Sequence, residues 1–402
     1  MHRNEIGLAL QGGGAYAAFT AGVLDALLNR RRNFLPPEDI RSISGTSGGA
    51  LNAALLGLAL HEGQHELTRY VNRLWEFNRL ERVIRDYCLP LHLVPDEYIA
   101  ALFGTHRHVR DALPQMADAI SENIRLHGTL TQLINTIVHA AAPSLAQDLA
   151  APLLPNRRPY VAVAATEIRT AQAHYFTNNT RMIARFRRLK ISRQYQILNE
   201  LTLNGVYASM AHPSAFAPVV IGENIYWDGY YTANPPFTFL YREGCEEVIL
   251  VRLVQTRRDA VGQDGGFIRD RTEEIIQTTT LSKEIQAYLA MRDVWFGNRD
   301  KIKGMRMSMA MRKFDDIGIF HEIRLLKSGK IWEQGYPFSD FVDKLLRLGR
   351  EVVAHRKGFI ATYRQAPRGM QIISEIDFDD ERVESSVIDL DALLFEAQQN
   401  DD

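Results

Sequence analysis

The stretch ISGTSGGALNAA, residues 43–54, decides the fold of this chain. A short apolar run leads into Gly45, Ser47 and Gly49 in the pattern Gly-x-Ser-x-Gly, and helix-forming residues follow. A serine between glycines at a sharp strand-to-helix turn exposes its hydroxyl, because the glycines let the strand and the helix pass closely. The helix also directs backbone N–H groups toward any anion formed there. The stretch predicts a nucleophilic serine, although the pentapeptide alone also fits a glycine-rich loop with a solvated serine.

A second glycine-rich loop lies near the start of the chain. Residues 6–10 are an apolar run typical of a buried parallel strand, and Gly12, Gly13 and Gly14 follow almost at once. The apolar spacing of residues 15–28 then predicts a helix. A loop of this kind binds anions through bare backbone amides. It fits an oxyanion hole, a dinucleotide-binding loop, or simply a tight turn.

The dinucleotide hypothesis requires an acidic residue at the end of a second strand about 20 residues further on. The sequence has a proline-broken loop, residues 34–39, in that region. The oxyanion-hole hypothesis requires a serine elbow after the next parallel strand, and Ser47 stands there. The order of these elements therefore favours the oxyanion hole.

Asp228 is the candidate base for the serine. It follows an aromatic strand, residues 225–227, and precedes Gly229, although Asp-Gly is also an ordinary turn. A serine hydroxyl needs a base to take its proton, and two schemes provide one. The first is a triad of Ser47, Asp228 and His321 in the order of the α/β-hydrolases. The second is a dyad in which Asp228 itself is the base. Only one predicted strand precedes the serine, whereas several precede it in α/β-hydrolases, and this difference favours the dyad.

Composition limits the class of protein and the compartment in which it is expected. The chain has 402 residues, 46% of them hydrophobic and 24% charged, with a net charge of −1, as in an ordinary soluble globular protein without a general attraction for nucleic acid. Cys88 and Cys245 predict free thiols in a reducing compartment. The start of the sequence shows no signal-peptide pattern, and no window of ~18 apolar residues occurs. We therefore expect a cytoplasmic protein with optional peripheral membrane contact, while secretion without a cleaved signal fits equally.

One motif suggests a metal site. The sequence HEGQH, residues 61–65, matches the zincin pattern H-E-x-x-H. However, Gly63 is typical of a helix stop, and no supported third ligand follows. We interpret the motif as a solvated helix end and expect no metal.

Two basic stretches suggest contact surfaces. Residues 181–193 interleave arginines with apolar side chains, which fits either an anionic membrane surface or a solvated helix face. Residues 301–313 interleave methionines with Lys and Arg, which fits either an adaptable contact surface or a half-buried strand.

Three blocks together resemble the bacterial patatin-like phospholipases. LALQGGGA, residues 8–15, with AGVL at 21–24, is similar to the glycine-rich block of that family. GTSGG, residues 45–49, is similar to its nucleophile block, and residues 208–235 are similar to its aspartate block. The resemblance covers roughly residues 5–255, and the order and spacing of the three blocks make it specific.

The resemblance implies a three-layer α/β/α fold with a mostly parallel central sheet and a C-terminal extension. It further implies a Ser47–Asp228 dyad, no catalytic histidine, and no metal or cofactor. The expected activity is hydrolysis of lipid acyl esters, of phospholipase A or lysophospholipase type. The oxyanion hole would be formed by Gly12, Gly13, Gly14 and Gly48.

We expect an acyl hydrolase domain over residues 5–255, with a helical insertion at about 65–155. A mixed helical extension over 256–372 and a loosely ordered acidic tail over 373–402 would follow.

Two residues depart from the family pattern. Tyr16 stands where the family has Arg or Lys, and Tyr230 stands where it has Gly or Ala. These residues keep open an alternative, a catalytically silent module that binds a membrane or a partner protein through 181–193 or 301–313. A dinucleotide-binding oxidoreductase is a further alternative.

Overall fold

A computed structural model gives the structure of most of the chain. It describes residues 5–28, 35–76, 134–188, 197–213, 216–245, 247–254, 319–326, 338–354, 370–377 and 383–386, and also 262, 268, 271–272 and 274–286. Most of the predicted helical insertion, all of the methionine-rich stretch 301–313, and Cys88 lie outside the described residues.

One eleven-stranded sheet organises the described residues. Its strands are β1 (Ile6–Leu10), β2 (Ile40–Gly45), β3 (Tyr160–Glu167), β4 (Gln172–Thr177), β5 (Ile197–Glu200), β6 (Val219–Ile221), β7 (Asn224–Asp228), β8 (Glu247–Arg252), β9 (Ile319–Leu326), β10 (Met370–Asp377) and β11 (Val383–Ser386). The main path runs β11-β10-β9-β8-β1-β2-β3-β4-β5, and the β6–β7 hairpin joins β3. The pairs from β10 through β3 are parallel, while β3–β4, β3–β7, β6–β7 and β10–β11 are antiparallel.

Helices cover both faces of this sheet. They are α1 (Ala17–Leu27), α2 (Gly48–Glu62), α3 (Arg69–Glu76), α4 (134–141), α5 (Thr180–Arg188), α6 (Leu203–Met210), α7 (Phe237–Arg242), α8 (274–286) and α9 (Phe338–Ala354). One core joins Leu8 and Leu10 to α1, α2, α3, α4, α6 and α9. A second core joins Ala9 and Leu250 to α5, α7 and α8. Because β1 is buried on both faces, its sequence is a continuous apolar run. The predicted three-layer α/β/α fold is confirmed.

The C-terminal region was predicted as a mixed helical extension, 256–372, and a loosely ordered acidic tail, 373–402. β9 pairs in parallel with β8, and β10 pairs in parallel with β9, so this region continues the central sheet. The sequence MQIISEID of β10 crosses the predicted boundary at 372, and β11 lies wholly within the predicted tail. These strands were not predicted, because an acidic composition does not show which short segments pair with a neighbouring strand.

The long helix α9 packs on α1 through two glycines. A Cβ atom added to Gly22 of α1 would lie 2.2 Å from the backbone oxygen of Leu346. A Cβ atom added to Gly349 of α9 would lie 2.2 Å from the backbone oxygen of Phe19. The two helix backbones therefore approach so closely that neither position has room for a methyl group.

We expect Gly22→Ala to destabilise the protein. Alanine favours an isolated helix, but here its methyl group must push α9 away from α1. The overpacking should lower the free energy of unfolding by about 1–3 kcal/mol, measured by urea denaturation. Arg347→Ala, which alters an exposed residue of α9, is the control and should change stability by less than about 0.5 kcal/mol. A Gly22→Ala protein as stable as wild type would contradict the close packing.

Candidate active site

The turn between β2 and α2 carries Ser47 in a strained conformation. Ser47 has φ 55° and ψ −127°, which is rare for any residue except glycine. A Cβ atom on Gly45 would lie 2.2 Å from the backbone oxygen of Gly49. A Cβ atom on Gly49 would lie 2.2 Å from the backbone oxygen of Leu10. Both glycines are therefore required for the predicted strand-to-helix turn.

Two neighbouring segments hold this turn. The Ser47 N–H group donates to the backbone oxygen of Ser209 at 3.2 Å and to its Oγ at 3.1 Å. The Thr46 hydroxyl donates to the backbone oxygen of Ala233 at 2.7 Å. Ser209 is fully buried at the end of α6. This role of Ser209 was not predicted, because a serine among small residues does not reveal a long-range partner.

Strand register brings Asp228 to the serine. β2 pairs with the first half of β3 and ends where Gly45 faces Val163. β7 pairs with the second half of β3 in the opposite direction and ends where Asp228 faces Ala165. Since β4 occupies the other edge of β3, β2 and β7 share one edge and meet end to end. The Ser47 hydroxyl and the Asp228 carboxylate are close enough across this junction for the hydroxyl to lower the pKa of the carboxyl group.

Asp228 is held in place by its own backbone and side chain. Its N–H donates to the backbone oxygen of Ala211 at 2.9 Å, and its carbonyl accepts from the Thr166 hydroxyl at 2.8 Å. The carboxylate also accepts from the Tyr230 N–H at 2.9 Å. Only 2% of the residue is exposed, and this burial raises the pKa of Asp228 to about 7 against the opposing effect of the hydrogen bonds. Such a carboxylate exchanges protons near neutral pH, as a general base must.

The N-terminal glycine loop packs against the serine turn. A Cβ atom on Gly12 would lie 2.6 Å from the backbone oxygen of Thr46. The Gly12 N–H donates to Asn234 Oδ1 at 2.7 Å, so it is not available to an oxyanion, and the prediction of Gly12 as an oxyanion donor is wrong. Within the described part of the chain, the N–H groups of Gly13, Gly14 and Gly48 have no acceptor and remain candidate donors.

The two tyrosines that depart from the family pattern lie at the edge of the site. Tyr16 is 6% exposed, and its ring meets Phe341 of α9 edge to face at 5.2 Å. The ring of Tyr230 stacks on His212 at 5.1 Å, while its backbone N–H donates to Asp228. With both rings present, the Ser47 hydroxyl still lowers the pKa of Asp228.

The structure separates His321 from this site. His321 lies in the middle of β9, paired with Ile249 of β8, which in turn pairs with Leu8 of β1. β9 is three strand spacings from β2, or roughly 14 Å. Ser47 lies beyond the carboxyl end of β2, so the triad with His321 is wrong.

The HEGQH motif and Cys245 lie in ordinary structural elements. α2 ends at Glu62, and Gly63 adopts the left-handed conformation with φ 67°, as expected of a helix stop. His61 is hydrogen-bonded at 3.1 Å to the backbone oxygen of Pro159. Among the described residues, no group of three or more His, Cys, Asp or Glu is placed to hold a metal. Cys245 is a buried free thiol.

The described part of the basic stretch is helix α5. Its Met182 and Ile183 face the second core, whereas Arg181, Arg185 and Arg188 are exposed. The helix is therefore packed on the protein by its apolar face. Its arginine face remains a prediction for membrane contact. No helix in the described ranges has the length and apolar character needed to cross a bilayer.

Residues 8–241 match the family model described as patatin-like phospholipase. This match spans more than half of the 402 residues, so the chain belongs to the patatin-like phospholipase family. Members of this family are generally lipid acyl hydrolases. No curated protein matches the chain significantly.

Two solved structures show weaker similarity. The crystal structure of VipD from Legionella pneumophila is 13% identical, with a TM-score of 0.30, and the match covers 86% of this chain and 67% of that one. The structure of SpcU in complex with ExoU from the type III secretion system of Pseudomonas aeruginosa is 15% identical, with a TM-score of 0.21. That match covers 71% of this chain and 53% of the other.

Proposed function

We propose that this protein is a serine acyl-ester hydrolase of phospholipase A or lysophospholipase type, with Ser47 as nucleophile and Asp228 as base. One observation carries the proposal: a strained, glycine-flanked serine lies at the end of β2, next to a buried carboxylate at the end of β7 whose pKa is raised to about 7. A solvated serine in a glycine loop would need neither the strain nor the partner.

The reaction follows from these positions. Asp228 takes the hydroxyl proton while Ser47 Oγ bonds to the ester carbonyl carbon, and the carbonyl oxygen becomes an oxyanion. The N–H groups of Gly13, Gly14 and Gly48 stabilise this charge. Asp228 returns the proton to the leaving alcohol as the carbon–oxygen ester bond breaks. Water then attacks the acyl-serine with Asp228 again as base, which releases the fatty acid and restores the hydroxyl.

An apolar cavity supports an acyl chain as the substrate group. It is small, about 20 Å³ in volume, and it is open to solvent on one side. Its lining includes Ile134, Tyr207, Met210, Phe216 and Val219. The Tyr207 hydroxyl is already satisfied, because it donates to Asn135 Oδ1 at 2.8 Å. A cavity of this composition favours hydrocarbon over a polar group, and at this size it takes only part of an acyl chain.

The cavity adjoins the proposed dyad through α6 and the residues that follow it. Ala211 lines the cavity, and its backbone oxygen accepts from the Asp228 N–H. Ser209, two residues earlier, accepts from the Ser47 N–H. The acyl chain of an ester held at Ser47 therefore has an apolar cavity beside it.

Two neighbouring valines of β6 provide a matched test. Val219 lines the cavity, whereas Val220 is 62% exposed. We expect Val219→Trp to lower kcat/KM for p-nitrophenyl dodecanoate by roughly tenfold or more, while the acetate ester is little affected, because the indole fills space needed by the longer chain. Val220→Trp should leave the ratio of the two substrates unchanged. Equal loss on both esters in Val219→Trp would show that the cavity does not hold the acyl chain.

Active-site labelling tests the function itself. A fluorophosphonate probe should label the wild-type protein and not the Ser47→Ala variant. The folded protein should also release fatty acid from phosphatidylcholine or lysophosphatidylcholine vesicles. A well-folded wild-type protein that neither labels nor hydrolyses these lipids would instead favour the catalytically silent module.

A further inference from the structure

One short segment, residues 228–234, touches all three parts of the proposed site. It begins with Asp228, which lies at the end of β7 where that strand meets the serine-bearing end of β2. Near its end, the backbone oxygen of Ala233 accepts from the Thr46 hydroxyl at 2.7 Å. Its last residue, Asn234, contacts the glycine loop. The segment thus connects the base, the serine turn and the oxyanion loop.

The side chain of Asn234 binds both polar groups of the Gly12 backbone. Its Oδ1 accepts from the Gly12 N–H at 2.7 Å, and its Nδ2 donates to the Gly12 carbonyl at 3.4 Å. Nδ2 also lies 3.4 Å from Gln277 Oε1 of α8. Asn234 is fully buried, so bulk water does not compete for these hydrogen bonds. A side-chain amide that engages both backbone groups of one residue fixes the orientation of that residue.

A separate contact anchors the residue before Gly12. The Gln11 Oε1 atom accepts from the N–H groups of Leu253 at 2.8 Å and Val254 at 3.1 Å. The loop is therefore held at its start by Gln11 and at its next residue by Asn234. Because glycines have no side chains, these contacts decide where the following N–H groups point.

We propose that Asn234 is a positioning residue for the oxyanion hole. By binding Gly12, it fixes the backbone from which the N–H groups of Gly13 and Gly14 reach the oxyanion. This inference rests on the proposed function, since it assigns a role within the same site. Asn234 does not touch the substrate in this scheme and acts only through Gly12.

Asn234→Ala should lower kcat more than it changes KM. Without the Asn234 amide, the Gly12 peptide is free to rotate, and the N–H groups of Gly13 and Gly14 no longer point at the oxyanion. We therefore expect kcat to fall on the order of 100-fold. KM for p-nitrophenyl butyrate should change by less than about threefold, because the oxyanion forms only in the transition state.

A second buried asparagine provides the control for a merely structural effect. Asn179 follows β4 at the end of the sheet away from Asp228, is 7% exposed, and donates to both carboxylate oxygens of Glu243 at 2.8 and 2.9 Å. Asn179→Ala should lower the melting temperature but leave kcat of the folded enzyme unchanged. If the two variants lose kcat equally, the positioning role is wrong.

Hydrogen exchange gives a readout that needs no turnover. The buried hydrogen bond should protect the amide of Gly12, and Asn234→Ala should speed exchange in a peptide covering residues 11–15 while Asn179→Ala leaves it unchanged. Unchanged exchange of this peptide in Asn234→Ala would overturn the inference. Failure of the proposed function is distinguished from this result, because it would appear as absence of Ser47-dependent hydrolysis in the wild-type protein.

Discussion

Ser47→Ala is expected to lower kcat for ester hydrolysis by roughly 10⁴- to 10⁶-fold. The variant retains the binding cavity and the candidate oxyanion donors, but it has no oxygen that can bond to the carbonyl carbon. Alanine and serine meet the same steric restriction at φ 55°, so the substitution leaves the strain of the turn unchanged. The fold should therefore persist. The measurement is steady-state hydrolysis of p-nitrophenyl butyrate, with circular dichroism to confirm folding.

Ser44→Ala provides a matched control in the same strand. Ser44 is a fully buried serine of β2 whose hydroxyl has no hydrogen-bond partner in the described structure. Ser44→Ala also removes a serine hydroxyl, three residues from Ser47, and it should leave kcat unchanged. A Ser47→Ala protein that retains more than about 1% of wild-type kcat, with Ser44→Ala fully active, would rule out Ser47 as the nucleophile.

Asp228→Asn is expected to lower kcat by roughly 10⁴-fold, because an amide cannot take the proton of Ser47. The wild-type enzyme should show a kcat/KM that rises with pH and levels off above about 7, where Asp228 is ionised. A flat wild-type profile between pH 5 and pH 8, or an Asp228→Asn enzyme with normal activity, would contradict the role of Asp228 as base.

The same substitution should make the protein more stable at high pH. The folded pKa of Asp228 is raised to about 7 from its ordinary value of 3.8, so the folded state binds the proton more tightly than the unfolded state. Stability therefore falls as the pH rises from about 4 to about 7, and the full penalty, at most on the order of 4 kcal/mol, is present above pH 7. Asp228→Asn removes the charge, so it should raise the melting temperature at pH 8 and leave it nearly unchanged at pH 3.5.

Glu167 provides a control in which the carboxyl pKa is lowered by folding instead of raised. Burial alone would raise the pKa of this carboxyl group, but hydrogen bonds from Thr170 and Arg169 lower it to about 2. Its charged form is therefore stabilising in the folded protein, and that contribution is lost as the pH falls from about 4.5 toward 2. Glu167→Gln should lower the melting temperature at pH 8, whereas Asp228→Asn should raise it.

Local patterns in the sequence predicted the parts of the site that depend on local structure. The serine turn requires Gly45 and Gly49 for steric reasons, and β1 is apolar because both of its faces are buried. Such requirements leave a mark on neighbouring residues. The fold class followed from the order of these elements and from the family resemblance.

Long-range hydrogen bonds could not be predicted in this way. Gly12 was expected to bind the oxyanion, but its N–H is taken by Asn234, which is 222 residues away in sequence. Tyr16 stands where the family has Arg or Lys, and its ring packs against Phe341 of a helix that lies in the predicted C-terminal extension. A sequence pattern indicates that a residue is buried, but it does not identify the distant group that contacts it.

Because β2 and β7 meet end to end on one edge of β3, their pairing with β3 sets the distance between Ser47 and Asp228. Sliding β7 along β3 by a single residue would move Asp228 by about 3.4 Å and turn its side chain to the opposite face of the sheet. A one-residue insertion or deletion in β7 could thus leave a folded sheet and abolish hydrolysis. The spacing between the proposed nucleophile and the proposed base therefore depends on hydrogen-bond register, and strand alignment is the quantity that evolution or design would have to preserve.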